Sequence, residues 1–224
     1  MTLSTVDRTF ERIGAGELYI AALPAASVFS GCTTIASFAK EYFELFYDDG
    51  DTRKALTTGK KPWAALTSDG LKVKIKANTI EVDPNSGPKH LVGIQDVEVS
   101  FEMGIIDCTA IKLAELASCS TEELIAQAAA AGKAGRSYVA IGGQSQLTPY
   151  VLMYRMASKI VPGEFDHVLI PRANFTLETD FDLNKRSVLQ IKVKGNALQE
   201  AYGLVNAAGI PEQIIYDLAV AAAT

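Results

Sequence analysis

The stretch FDHVLIPRANFTLETDFDLNKRSVLQIKVKG, Phe165 to Gly195, decides the fold. Within it Phe175, Leu177, Thr179, Phe181 and Leu183 alternate with Thr176, Glu178, Asp180 and Asp182. A period of two marks a strand with one buried and one wet face. Leu189, Ile191 and Val193 alternate in the same way with Gln190, Lys192 and Lys194. With Asn184-Lys185-Arg186 as the loop, Phe181 faces Leu189 and Leu183 faces Ser187. That register puts both apolar sets on one side. It also sets Glu178 opposite Lys192, a cross-strand pair worth roughly 0.2–1 kcal/mol. The expected unit is a hairpin with an oily face and an acidic-basic face.

The pattern recurs upstream. Leu71, Val73 and Ile75 alternate with Lys72, Lys74 and Lys76, and the phase then slips to the even-numbered Ile80 and Val82. The slip predicts a bulge near Ala77-Asn78-Thr79. Asp83-Pro84-Asn85-Ser86-Gly87-Pro88 reads as a turn. Val97, Val99, Phe101 and Met103 then oppose Asp96, Glu98, Ser100 and Glu102, a second strand with an acidic wet face. Residues 17–23, 136–141 and 148–158 read as further strands, and Pro162-Gly163 turns the chain into the central hairpin. In 33–47 the 38/42/46 spacing suits a helix, while the aromatic and β-branched content suits strands. The polar run 48–62 reads as an exposed loop.

Residues 107–118 have near-helical spacing, and Ser120-Thr121-Glu122-Glu123 reads as a capping box opening a helix stopped by Gly132. Residues 197–208 read as weakly helical, and 212–223 as a last helix with Pro211 at its first position. Strands, one helical block and more strands indicate a mainly β (α+β) antiparallel fold. The reading assigns residues 1–200 to one β domain and 201–224 to a helical extension.

A net charge of -5 disfavours a protein that grips nucleic acid by neutralising phosphates. No apolar run reaches the ~18 residues of a membrane span. The N-terminus lacks the apolar core of a secretory signal. Cys32, Cys108 and Cys119 read as three reduced thiols of a protein made in a cytoplasm.

Chemistry-bearing motifs fall short of their requirements. His90 and His167 are isolated, with no metal-ligand spacing, so no metal or cofactor is expected. Ser145 lacks the following Gly of a nucleophile elbow, since position 147 is Leu. Gly14-Ala15-Gly16 precedes its strand instead of following one, and Thr58-Gly59-Lys60-Lys61 lacks the Ser/Thr of a phosphate loop. Asp180 and Asp182 share a strand face, which a solvated surface explains as well as acid-base chemistry does. Trp63 reads as a packing or interface anchor. The expectation is a protein that is not an enzyme.

Three segments carry a family likeness: LVGIQDVEVSFEMG at 91–104, the block at 107–118, and FDHVLIPRANFTLETDFDL followed by SVLQIKVKG. Together they resemble the major tail tube proteins of long-tailed bacteriophages, over roughly residues 15–200. The likeness implies two packed antiparallel sheets, sandwich- or barrel-like, with a flanking helix. It tips 33–47 towards strand. It implies hexameric rings of this chain stacked into a tube, with tape measure, tail terminator and distal tail proteins as partners. DNA would pass through the lumen unbound. The location implied is the virion tail, assembled in the host cytoplasm, with no membrane partner. By the same likeness the run 48–62 is an inter-ring arm, with Asp48, Asp49, Asp51, Arg53, Lys54, Lys60 and Lys61 as its contact candidates.

A carboxylate wall repels phosphate and gives DNA no sequence of binding wells. Asp96, Glu98 and Glu102, or Glu178, Asp180 and Asp182, or both sets, are therefore the expected lumen-facing residues. The alternatives are the inner tube of a contractile tail or injection particle, a capsid decoration or tail-terminator protein, and a ligand- or carbohydrate-binding β-sandwich. The last would need an open aromatic concavity, for which only the aromatics at 38–47 qualify.

Overall fold

The computed structural model describes residues 16–52, 56–82, 90–106, 124–127, 136–139, 148–176, 190–205 and 212–220. The strands are β1 (Glu17–Ala22), β2 (Ala64–Val82), β3 (His90–Ile106), β4 (Leu124–Gln127), β5 (Arg136–Val139), β6 (Tyr150–Ala157), β7 (Phe165–Thr176), β8 (Gln190–Ala197) and β9 (Ile215–Asp217). Among the described residues there is one α-helix, α1 (Ile35–Phe43), between β1 and β2. The protein is mainly β, and the strands of its main sheet pair antiparallel.

That sheet has seven strands in the order β6-β1-β2-β3-β8-β7-β9, and β6 also pairs with β7. Six strands thus close into a barrel, β6-β1-β2-β3-β8-β7 and back to β6. Strand β9 continues the β7 edge where β8 leaves it: Ala173 pairs with Tyr150 and Ala197, and His167 with Arg155 and Asp217. The expected packed sheets are realised as one sheet wrapped on itself. Strands β4 and β5 form a separate ribbon.

The central hairpin has the register read from the sequence where it is described. Phe175 pairs with Gly195 and Thr176 with Lys194. Glu178, Asp180 and Asp182 lie outside the described residues, so the Glu178–Lys192 pair is seen only through Lys192, which is exposed. The β2 phase slip is a register shift between Asn78 and Thr79, with another between Ile80 and Glu81.

Alternation sorts two cores. Leu18, Phe101, Ile105, Leu152, Tyr154, Val168, Ile170 and Phe175 point into the barrel. Their neighbours Tyr19, Val151, Met153 and Leu169 point out and meet Phe38, Tyr42, Phe43, Phe46 and Tyr47 of α1 and the turn after it. Each large side chain buried this way contributes about 1.5–3 kcal/mol. Strands β6 and β7 are covered on both faces, so Val151-Leu152-Met153 and Val168-Leu169-Ile170 are apolar without alternation. Pro171 interrupts no ladder, because β7 carries one extra residue there: Leu152 pairs with Ile170 but Tyr150 with Ala173.

Four readings need correction. Residues 35–43 are helix, not strand: Thr34 caps Ser37 N–H, Ser37 Oγ returns the bond to Thr34 N–H, and the 38/42 spacing buries one face. The run after Ser120–Glu123 is strand at 124–127, paired with β5, so the expected helix is absent there. Residues 198–205 contain no helix. Ile215–Asp217 is a strand on β7, where a terminal helix was expected, because Ile215 is drawn into the outer core. The 83–88 turn, the 107–118 block, Ser145, Cys108 and Cys119 lie outside the described residues.

Candidate functional site

The β2–β3 hairpin runs past the barrel. On its far side β2 meets β1 only at Ala64 and Ala65, while its pairing with β3 continues to Val82. On its own far side β3 meets β8 only from Val99 to Ile106. Among the described residues, β2 beyond Ala65 and β3 before Val99 therefore have one partner strand each. Apolar side chains travel out with them: Ile75 is 55% and Val97 38% exposed.

The register also settles how charge is arranged. Lys72 lies opposite Glu102, Lys74 opposite Ser100, Lys76 opposite Glu98 and Asn78 opposite Asp96. On the other flank Lys194 lies opposite Glu102, and Lys192 opposite Gly104. The acidic face of β3 and the lysine face of β2 are one face. Exposed Lys72, Lys74, Lys76, Lys192 and Lys194 surround Glu98 and Glu102 there. Asp96, Glu98 and Glu102 are brought together, but inside a lysine-rich ladder and not as a wall of carboxylates. The sequence could not show this, because alternation gives faces within a strand and not which strand lies beside it.

The 48–62 loop is pinned. It starts with a turn at Asp48–Gly50, Leu56 bridges back to Tyr47, and Thr57 N–H donates to Phe46 O. Gly50 has φ +63°, and an added Cβ would lie 2.4 Å from Lys40 O, so only glycine fits. Asp48 and Asp49 are exposed, Asp51 is half-buried, Lys61 is exposed, and Lys60 lies over the Phe46 ring at 5.5 Å. Arg53 and Lys54 lie outside the described residues.

Two buried polar networks were not legible. His167 is fully buried: Nδ1 is 3.0 Å from Asp217 Oδ2, and Nε2 2.7 Å from the Tyr47 hydroxyl. A carboxylate only accepts, so Nδ1–H donates to Asp217; with a neutral ring the Tyr47 hydroxyl donates to Nε2. Thr52 Oγ1 also donates to Asp217. The bond from His167, more than that from Thr52, holds the Asp217 carboxyl below its usual range against burial. Glu200 is 4% exposed and accepts from the Tyr42 hydroxyl at 2.7 Å and from Tyr202 and Leu204 N–H at 2.8 Å. Burial, then Glu200, pushes the Tyr42 hydroxyl far above the usual phenol range. The His167 network fastens the pinned loop and β9 to β7, and the Glu200 network fastens α1 to the segment after β8. The side-chain partners are separated by 50 to 165 positions, so no spacing motif announces them.

Trp63 stacks on Phe175 with ring centres 6.2 Å apart, as a packing anchor. The aromatics of 38–47 are buried beneath α1 and do not line an open concavity. Among the described residues no three His, Cys, Asp or Glu side chains cluster as a metal site, and no helix is long and apolar enough to cross a membrane.

No family model matches the chain, and no curated protein does. Among solved structures, it is similar to a chain of one described as "Virion of native gene transfer agent (GTA) particle". The match covers 63% of this chain and 85% of that one, at 9% identity and a TM-score of 0.34.

Proposed function

We propose that this chain is a structural protein of a virion, the subunit of a phage tail tube that assembles as hexameric rings stacked around a DNA conduit. The observation that carries the reading is the β2–β3 hairpin, whose edges extend beyond their barrel partners. Unpaired backbone N–H and C=O groups on an edge are a template for another strand. Ile75 and Val97 add apolar surface beside that edge, surface that pairing would remove from water. The barrel is the rigid body that sets the angle between neighbours.

In this reading DNA traverses the bore without being held. Of the two acidic sets expected to line it, Glu98 and Glu102 lie opposite lysines, and Glu178, Asp180 and Asp182 lie outside the described residues. Ring ends would meet the tape measure, terminator and distal tail proteins of the same particle. Negative-stain microscopy of the purified protein at rising concentration tests the reading. It expects rings and tubes; a monomer by sedimentation at all concentrations, with no rings, would refute it.

A further inference from the structure

We infer that Gln213 guards the open edge of β3: in the free subunit its side-chain amide occupies the rung where a strand of a neighbouring copy would begin to pair, and it swings away when copies join. The inference rests on the tail-tube reading and adds a control on when the ring contacts form.

The ladder shows where the guard stands. Strand β8 follows β3 from Ile106 back to Val99, where Ala197 ends it. Val97 is two residues further along β3, and residues two apart in a strand present their backbone groups to the same side. Its carbonyl oxygen takes the position of the next rung, and it accepts from Gln213 Nε2 at 2.9 Å. That is the length of an ordinary ladder bond. A strand paired with β3 would run about 4.8 Å from it, so the amide lies inside the corridor that strand needs.

The backbone beneath the guard is fixed and the side chain is not. Glu200 N–H donates to Glu212 O at 3.0 Å, and Glu212 N–H donates to Leu204 O at 2.9 Å. On the other side, Ile214 packs against the inner core and Ile215 is buried in the outer one. Gln213 itself is half-buried. Its Oε1 is buried and has no hydrogen-bond partner among the described residues. The amide is satisfied at one end only, and a buried acceptor left without a donor weakens the hold of the rotamer that makes the bond.

An open edge invites pairing with the wrong chain at the wrong time. A side chain over the first rung keeps the edge usable and sets a threshold. A glancing encounter must displace the amide for little return, while a strand that zips along His90–Val97 exchanges one bond for several. The β2 edge lies on the other side of the same hairpin, so in a ring β2 of one copy meets β3 of the next, two different surfaces in a head-to-tail contact. Strands β2 and β3 are antiparallel within the hairpin, and rotation about a ring axis keeps the contact between copies antiparallel as well.

The test uses the full chain with Gln213→Ala. The backbone bonds of Glu212 and the core contacts of Ile214 and Ile215 do not involve the replaced side chain, so the fold is expected to stand. Sedimentation over a concentration series reads the midpoint of ring formation. Removing one hydrogen bond that assembly must break should lower that midpoint by roughly twofold to tenfold, with regular rings by negative stain. A midpoint unchanged or raised, with wild-type rings present, would overturn the inference and leave the tail-tube reading standing. Should the variant fail to fold, a density map of the wild-type tube decides. It is expected to show Val97 O accepting a backbone N–H of the next copy, with Gln213 Nε2 gone from it; the Gln213–Val97 bond intact in the tube would overturn the inference. Wild type and variant both without rings at every concentration would sink the tail-tube reading, and this inference with it.

Discussion

Replacing Gly195 by Ala tests the barrel closure. Gly195 stands where β8 pairs with β3 through Phe101 and with β7 through Phe175. A methyl group there would lie 2.2 Å from Phe101 Cζ, 2.7 Å from its Cε2 and 2.4 Å from the Asn174 carbonyl oxygen. Ordinary contacts are about 3.5–4 Å, so both the ring and the backbone must move by more than an ångström. The Asn174 oxygen belongs to a paired strand and cannot rotate away. Phe101 can swing, but it then gives up its edge contact with Phe175, at 5.8 Å and 90°. Overpacking costs about 1–3 kcal/mol and the aromatic pair about 0.5–1.5 kcal/mol. The expected loss is about 2–4 kcal/mol, a large part of the 5–15 kcal/mol of a typical domain. Urea unfolding should show it, with a Tm lower by roughly 5–15 °C. Adding Phe101→Leu should cost less in the Gly195→Ala background than in the wild type. A Gly195→Ala protein within ~0.5 kcal/mol of wild type would refute this account of the β3-β8-β7 corner.

Other expectations follow from the same contacts. Thr34→Ala removes the α1 cap and should cost about 1 kcal/mol by urea unfolding, where strand at 35–43 would leave stability unchanged. Tyr42→Phe leaves Glu200 with its two backbone donors only and should cost about 1–3 kcal/mol, while Tyr202→Phe, which spares the carboxylate, should cost less. Asp217 has a depressed carboxyl, so its stabilisation is present above the unfolded value near 3.9 and is lost as pH falls through the lower folded value. Asp217→Asn should flatten that part of the acid-unfolding curve, and an unchanged curve would count against the His167–Asp217 bond. Burial first, then Glu17, pushes the Tyr19 hydroxyl up to about 12. Tyr47 and Tyr154 are raised further, mainly by burial. Stability should be intact below the unfolded tyrosine value near 10 and fall above it; absorbance titration showing these phenols ionising near 10 in the folded protein would contradict their burial.

Much of the barrel wall was legible because half-buried strands alternate. The slip from Ile75 to Ile80 located the β2 bulge, and the 175/195 register followed from keeping Phe181 and Leu189 on one side. Legibility failed where tertiary burial overrode local pattern. The aromatics of 38–47 look like strand residues, yet a Thr34–Ser37 cap and a four-residue spacing made them a helix over an outer core. Ser120–Glu123 had the letters of a capping box, but the next residues found a pairing strand. At the C-terminus, Ile215 and Asp217 had partners on β7 that no local signal names. The candidate site was half legible: both charged faces were read correctly strand by strand, and their fusion into one ladder needed the strand order.

The central claim is that β2 becomes an interior strand when copies assemble. Amide hydrogen exchange, comparing dilute monomer with assembled tubes, tests it most directly. The account predicts that the N–H groups of β2 between Leu71 and Val82 that point away from β3 exchange freely in the monomer and are protected in the tube. Equal exchange of those amides in both states would contradict it.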